Sequence, residues 1–294
     1  VAEPAPTPVT EPLLRDWALP APGDDKHARG TVLVVGGSAQ TPGAVLLAGE
    51  AALRAGGGKL RIATEASACA PVAVAAPESR VLPLPGEGED GALGSRAASA
   101  VVRETGSAEV VLLGPGLVDV DHALAFMEGV VPELEGRVVV DALGSVFVTH
   151  HPDGLAHLDG CVLTVNPTEL SRILDRDEDE VERDPARAAS DAARRTGAVV
   201  LCGGTSKWTA APDGRCWVAD VGGPGLGVSG SGDTQAGIVA GLVARGADPV
   251  QAAVWGGYLH GRAGEVLAQE VGAVGFLARE VPGRVPALLT ALSD

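Results

Sequence analysis

The chain alternates short apolar runs with longer stretches of helical period, and glycine or proline marks most of the joins. Thr31–Val35 (TVLVV) is a continuous β-branched run that stops at Gly36-Gly37-Ser38. A run of this kind reads as a strand buried on both faces. Thr41-Pro42 then reads as an N-cap followed by proline at the first helical position. The helix continues through residues 44–55 and ends at Gly56-Gly57-Gly58. Residues 59–63 form the next strand, so the opening is a β-loop-α-β unit with parallel strands and a right-handed crossover.

The alternation continues downstream. Strands are predicted at 108–113, 137–140, 161–165 and 198–201, and helices at 121–134 and 186–196. Asn166-Pro167 with Glu169 reads as an N-x-x-E capping box opening another helix. Lys207–Ala210 and Cys216–Ala219 flank Pro212-Asp213-Gly214, a hairpin signal. Asp248-Pro249 caps a last long helix to residue 268, and residues 281–292 add a final turn or two. Residues 1–25 are a proline-rich extension in which little regular structure is expected, although Leu13, Leu14 and Trp17 are apolar enough to dock on the body. Residues 26–294 read as a single domain, without tandem repeats. The fold class is therefore α/β with a mostly parallel sheet. Its strands end in polar or glycine-rich segments: Gly36-Gly37-Ser38, Gly114-Pro115-Gly116, Asp141, Asn166 and Cys202-Gly203-Gly204. Ligands of open parallel sheets bind outside these carboxyl ends.

Composition narrows the choice of partner. Of 294 residues, 46% are hydrophobic but only 3% aromatic, so Val, Leu and Ala must fill the core. A formal charge of −16 argues against nucleic acid or an anionic membrane as a partner of the whole surface. Cys69, Cys161, Cys202 and Cys216 form no C-x-x-C pair and read as reduced thiols of a cytoplasmic protein, with a disulfide between Cys202 and Cys216 left open if their strands are neighbours. No signal peptide and no apolar run of bilayer-spanning length are expected.

The densest chemical signal is residues 221–245, VGGPGLGVSGSGDTQAGIVAGLVAR. Its first half is too rich in glycine for a helix or central strand. Its second half, from Asp233, reads as a small-residue helix. A glycine loop feeding a helix N-terminus is an anion site, because free N–H groups and the helix dipole converge there. Asp233 at that position either complements the dipole or serves as a base beside an oxyanion-binding loop. No Walker A loop, strand-linked G-x-G-x-x-G, G-x-S-x-G elbow or zinc pattern is present. His260 and Tyr258 read as packing or pocket lining, Trp208, Trp217 and Trp255 as core or pocket walls, and residues 175–184 as a solvated acidic face.

Gly230-Ser231-Gly232-Asp233 opening a helix near the C-terminus resembles the anion-hole signature of the ribokinase-like fold, a three-layer α/β/α sandwich. Within that fold the chain is similar to the ADP/ATP-dependent NAD(P)H-hydrate dehydratases. The match is carried by KHARGTVLVVGGSAQTPGAVLLAGEAALRAGGGKL (26–60), VLLGPGL (111–117), VLTVNPTEL (162–170), GLGVSGSGDTQAGIVAGLVARG (225–246) and WGGYLHGRAGE (255–265). The resemblance implies dehydration of hydrated NADH or NADPH (NADHX, NADPHX), a hydro-lyase repair reaction that consumes ADP or ATP with Mg2+. The alternatives are a small-alcohol kinase of the same fold and a nucleotide-binding homologue without turnover. The resemblance makes Asp233 the catalytic base, and Ala44, Gly116, Asn166 and Asp233 contacts to the hydrate. It gives Cys202, Gly203, Gly204, Thr205, Ser206, Gly230, Ser231 and Gly232 to the nucleotide, and no side chain to a metal. It further implies a cytoplasmic homotetramer. Three positions depart from the family pattern. Asn166 stands in place of the His of T-P-H-P-G-E, Cys202 in place of the Lys of K-G-A-x-T, and Leu143 in place of the second acid of D-A-D-A-L. Lys207 lies near Cys202 in sequence, but its direction along a strand is not fixed by that spacing.

Overall fold

Alternate residues of the strands separate cleanly into two cores. In the computed structural model, which describes residues 5–293, the strands are β1 (Thr7–Pro8), β2 (Thr31–Val35), β3 (Lys59–Glu65), β4 (Ser79–Leu84), β5 (Gly86–Glu87), β6 (Ala92–Leu93), β7 (Val110–Leu113), β8 (Arg137–Asp141), β9 (Gly160–Val165), β10 (Val199–Cys202), β11 (Lys207–Ala210) and β12 (Cys216–Ala219). Val32, Val34, Val110, Leu112, Val139, Val162 and Leu201 face one layer of helices, whereas Leu33, Val35, Val111, Leu113, Val138, Val140, Leu163, Val200 and Cys202 face the other. This is the period of two expected of pleated strands buried on both faces.

Among the described residues the main sheet has ten strands in the order β1-β12-β11-β10-β9-β8-β7-β2-β3-β4, and β5 and β6 form a separate antiparallel pair. Only β11 runs antiparallel to its neighbours. The chain moves outward from β2 through β3 to β4 and then returns to place β7 on the other side of β2. The layered α/β/α architecture is the one the sequence predicts.

One helical layer sets the position of the glycine loop. The helices Gly43–Arg54, Ser231–Ala244 and Pro249–Glu270 share a core of small residues. A β-carbon on Gly237 would lie 2.1 Å from the Ala48 carbonyl oxygen, and one on Gly241 would lie 2.2 Å from that of Ala52. These two glycines let the helices approach backbone to backbone. The loop helix is buried nearly all round, consistent with its lack of a polar face.

Several details differ from the sequence prediction. Pro42, not Thr41, is the N-cap position of Gly43–Arg54. The Thr41 hydroxyl is turned elsewhere, 2.9 Å from Ser38 Oγ and donating to the Gly116 carbonyl at 2.7 Å. The glycine-loop helix begins at Ser231 with Gly230 as N-cap, so Asp233 is its third residue rather than its first. Cys202 and Cys216 are separated by β11, and none of the four cysteines is in a disulfide.

The proline-rich lead carries more structure than its composition suggests. β1 pairs in parallel with β12, and Thr10 caps the helix Glu11–Asp16. Leu14 is fully buried and Trp17 stacks on Trp217 with ring centroids 5.9 Å apart, so the expected docking occurs. β4 and the helices Cys69–Ala75 and Ser95–Thr105 are elements that the sequence reading does not predict. Pro83 within β4 is tolerated because β4 is the sheet edge.

Candidate functional site

The carboxyl ends of β8, β9 and β10 and the start of the Ser231–Ala244 helix enclose a cavity of about 680 Å3. Each strand end delivers a polar group. Asp141 ends β8, is buried, and accepts a 2.6 Å hydrogen bond from the Thr164 hydroxyl of β9. The chain then turns through Ala142, a non-glycine residue held at φ +49 in the cavity wall. β9 ends at Asn166, whose Oδ1 accepts from the Glu169 N–H at 2.9 Å while the Glu169 carboxylate accepts from the Asn166 N–H at 2.9 Å. The predicted capping box is complete, and it fixes the Glu169 carboxyl at the cavity.

The glycine loop closes the cavity. Gly230, at φ +89, offers no side-chain cap to the first helical turn. The N–H groups of that turn are therefore available to an anion. The Gly222 N–H is tied to Glu265 at 2.9 Å, which anchors the far end of the loop.

Three carboxyl groups share this space. Burial, then the charges of Asp233 and Glu169, hold Asp141 well above the ordinary carboxylate range. Burial, then Glu169, pushes Asp233 up to about 6. Burial raises Glu169 as well. A carboxylate poised near neutrality has the strength suited to a general base.

Another part of the wall is cationic and amphiprotic. Lys207 is buried, with Nζ 3.5 Å from the Gly204 carbonyl, and burial pushes its pKa down to about 8. His260 is buried, and its Nε2 is hydrogen-bonded to Ser231 Oγ at 3.2 Å. Burial, then the Lys207 charge, keeps its imidazole well below the usual pKa, hence neutral. His260 Nδ1 and Gln235 Oε1 are buried without a hydrogen-bond partner.

The structure brings seven of the sequence-predicted site residues into the cavity wall. Asn166, Gly203, Gly204 and Thr205 come from the strand ends, and Ser231, Gly232 and Asp233 from the loop helix. Five lie outside that wall. Cys202 is 1% exposed in the opposite core, with Sγ against the Gly203 carbonyl. The Ser206 hydroxyl bonds to Asp220 at 2.7 Å. Gly230 lies against Leu47, where a β-carbon would meet Cδ1 at 2.3 Å. Ala44 and Gly116 sit together farther along the sheet edge, beside the β2–β7 reversal, and a β-carbon on Gly116 would lie 2.8 Å from Ala44 Cβ. Among site features, sequence reasoning missed Gln235, left Lys207 and His260 open, and read Asp141 only as a strand end and Glu169 only as a cap. No local signal gave the direction of Lys207, because the pairing of β10 with β11 sets which way it faces.

Among the described residues, no three His, Cys, Asp or Glu side chains are placed to hold a metal ion. The donors at the cavity are nonetheless hard carboxyl oxygens, Asp141 and Glu169. They fit magnesium, which keeps several waters and is carried on substrate phosphates with one or two carboxylates.

An α/β sheet with a helix-start anion site, and a raised carboxylate on that same helix, is the arrangement of an enzyme site that pairs an anion receptor with a base. The comparisons agree. The chain belongs to the NAD(P)H-hydrate dehydratase family, whose model matches residues 32–286. It is 44% identical to the ADP-dependent (S)-NAD(P)H-hydrate dehydratase of Xanthomonas campestris, across 97% of this chain and 96% of that protein. It resembles the crystal structure of the Bacillus subtilis ADP/ATP-dependent NAD(P)H-hydrate dehydratase co-crystallised with ATP and Mg2+ (TM-score 0.80, 25% identity, 98% of this chain and 99% of that one). The fold also matches a ribokinase-like superfamily protein of Enterococcus faecalis (TM-score 0.83, 21% identity, 100% and 98% covered). The chain spans about half the length of the bifunctional NAD(P)H-hydrate repair enzymes that it also matches.

Proposed function

We propose that this protein is a hydro-lyase that dehydrates NADHX and NADPHX at the expense of ADP or ATP. The observation that carries the reading is Asp233, with its pKa near 6, on the third position of an uncapped helix start inside the cavity. Asp233 takes the proton of the hydrate's hydroxyl. That oxygen bonds to the terminal phosphorus as the bond to the nucleotide's leaving oxygen breaks. Phosphate then departs with the electron pair of the carbon–oxygen bond, and the adjacent ring carbon yields its proton to the departing phosphate or water as the ring double bond re-forms. The amides of Ser231 and Gly232 and the helix dipole stabilise charge on the phosphoryl group. Magnesium, when bound, would neutralise phosphate charge, and Asp141 and Glu169 are the residues that would hold it and its waters.

Neutral His260 and the side chain of Ser231 hold the loop helix in register with the helix Pro249–Glu270. Asn166 uses its side-chain oxygen to cap its helix and keeps its NH2 for the substrate. Ala44 and Gly116, farther along the edge, suit the remainder of a long dinucleotide. Residues 26–294 act as one domain in this reading. By family resemblance the protein is a cytoplasmic homotetramer, and no helix among the described residues is long and apolar enough to cross a membrane. The test is incubation with NADHX and ADP or ATP plus Mg2+. Return of NADH absorbance, strictly dependent on nucleotide, is expected. Phosphorylation of a small alcohol without any NADH return would favour the kinase reading instead.

A further inference from the structure

We infer that Lys207 is the cation that receives the phosphates of the nucleotide, supplied from the antiparallel strand β11 in place of a lysine at the end of β10. The inference rests on the nucleotide-dependent reaction proposed above and names the group that binds its co-substrate.

Position 202 cannot supply this charge. It is a cysteine whose side chain is turned into the core on one face of the sheet, packed with Val200 and Val165. Leu201 belongs to the other core, and the stem of Lys207 is on that same side, since a β-carbon on Gly257 of the helix Pro249–Glu270 would touch both Leu201 Cδ1 and Lys207 Cβ. The register completes the geometry. Cys202 pairs with Trp208, so Lys207 lies one step beyond, beside Gly203. Gly203 has no side chain to block it: a β-carbon there would sit 3.7 Å from both Lys207 Nζ and Gln235 Nε2. The ammonium thus reaches the cavity over a glycine gap.

The carboxyl groups of the cavity do not contact that charge directly. Lys207 makes no ion pair among the described residues, and its one hydrogen bond is the long contact to the Gly204 carbonyl. Burying an ammonium without a partner is costly, and fold stability does not explain its retention. Beside it stand Gln235, whose Nε2 faces the same glycine gap and can donate, and His260, whose Nδ1 is buried without a partner, both on residues of the same cavity. A buried cation, an amide and the open helix start at Ser231 together form a receptor for a di- or triphosphate.

The experiment compares wild type with Lys207→Met and Lys207→Gln. Binding of ADP, ATP and adenosine is measured by calorimetry and ligand-observed NMR, together with NADHX turnover and the melting temperature without ligand. Loss of one charge-assisted contact should weaken ADP and ATP by about 10- to 100-fold and raise the nucleotide KM in step, leaving adenosine unchanged. The unliganded Met variant should melt no lower than wild type, because a desolvated charge has been removed. Two results overturn the inference. One is retention of ADP and ATP affinity within about threefold in both variants. The other is an equal loss for all three ligands with a lower melting temperature, the mark of a structural lysine. If wild type neither binds nucleotide nor restores NADH, the functional reading fails and takes this inference with it. If wild type does both and the variants match it, only the role of Lys207 is refuted.

Discussion

Asp233 is under opposed demands, because the burial that makes it a useful base also makes it a poor resident of the folded state. As a base it must be ionised, so kcat/KM for NADHX should rise with pH through about 6 and level off above it. Asp233→Asn should lower kcat by about 10²- to 10⁴-fold, read from NADH return at saturating nucleotide, with the fold intact. Stability should move the other way. The folded pKa lies above the ordinary value, so between about pH 4 and 6 the native state holds more protons than the unfolded one. Raising pH through that window therefore destabilises the native protein. At pH 8 the Asn variant should be more stable than wild type by about 1–3 kcal/mol, the gap closing below about pH 4. Equal denaturation midpoints at pH 8 would show that the site does not strain this carboxylate. The conflict also explains what was legible here. Gly230-Ser231-Gly232-Asp233 advertised an anion site, but two roles stayed open for its acid. Burial beside Glu169 raises Asp233 to a useful base strength, and that is a property of three strand ends meeting, not of the motif.

At the level of elements, the pairing of two helices decides where Asp233 stands. Gly237 and Gly241 of the loop helix face the carbonyls of Ala48 and Ala52 across a backbone-to-backbone contact. Alanine has the better helix propensity by about 1 kcal/mol, so propensity alone favours Gly241→Ala. The packing opposes it more strongly. The atom met at 2.2 Å is a backbone oxygen, and no rotamer change relieves it. The helices must separate, a kind of overpacking that costs about 1–3 kcal/mol or more. Gly241→Ala should therefore lower the denaturation midpoint and, by displacing the helix that carries Asp233, lower turnover as well; a midpoint at or above that of wild type would show that the helices can part freely. Strand runs such as Thr31–Val35 were legible because β-branched residues buried on both faces leave a continuous apolar signal. β4 was not, because it is an edge strand interrupted by Pro83; the helix Ser95–Thr105 was passed over although its buried Ala97, Ala98 and Val101 repeat at helical spacing. Lys207 was unreadable for another reason. Its direction depends on the register of β11 against β10, and register is set by pairing, not by local sequence.

Across the whole molecule, the N-terminal segment works as a strap rather than a tail. β1 covers the β12 edge of the sheet, with the Val9 N–H bonded to the Val218 carbonyl at 2.7 Å. Trp17 closes over Trp217, and its carbonyl accepts hydrogen bonds from Gln251 Nε2 and Trp255 Nε1, each at 3.0 Å. Both donors belong to the helix Pro249–Glu270, which also carries His260 into the cavity. Removing residues 1–17 would leave the buried Trp255 indole N–H without its acceptor, at about 1–3 kcal/mol, and Gln251 Nε2 with only its bond to the Ala18 carbonyl. It would also expose the Leu14 site and an unpaired sheet edge. A domain is stable by only about 5–15 kcal/mol, so losses of this size consume a large part of the margin. The truncated chain should unfold at clearly lower denaturant than the full chain and associate through the uncovered β12 edge, visible as higher-order species on a sizing column. Trp17→Ala separates the causes. It removes the stacking but keeps the carbonyl acceptor and β1, so it should destabilise by less than the deletion and leave the sizing profile unchanged. If the deletion is as stable as the full chain, residues 1–17 are an appendage and the domain begins at the first β-branched run.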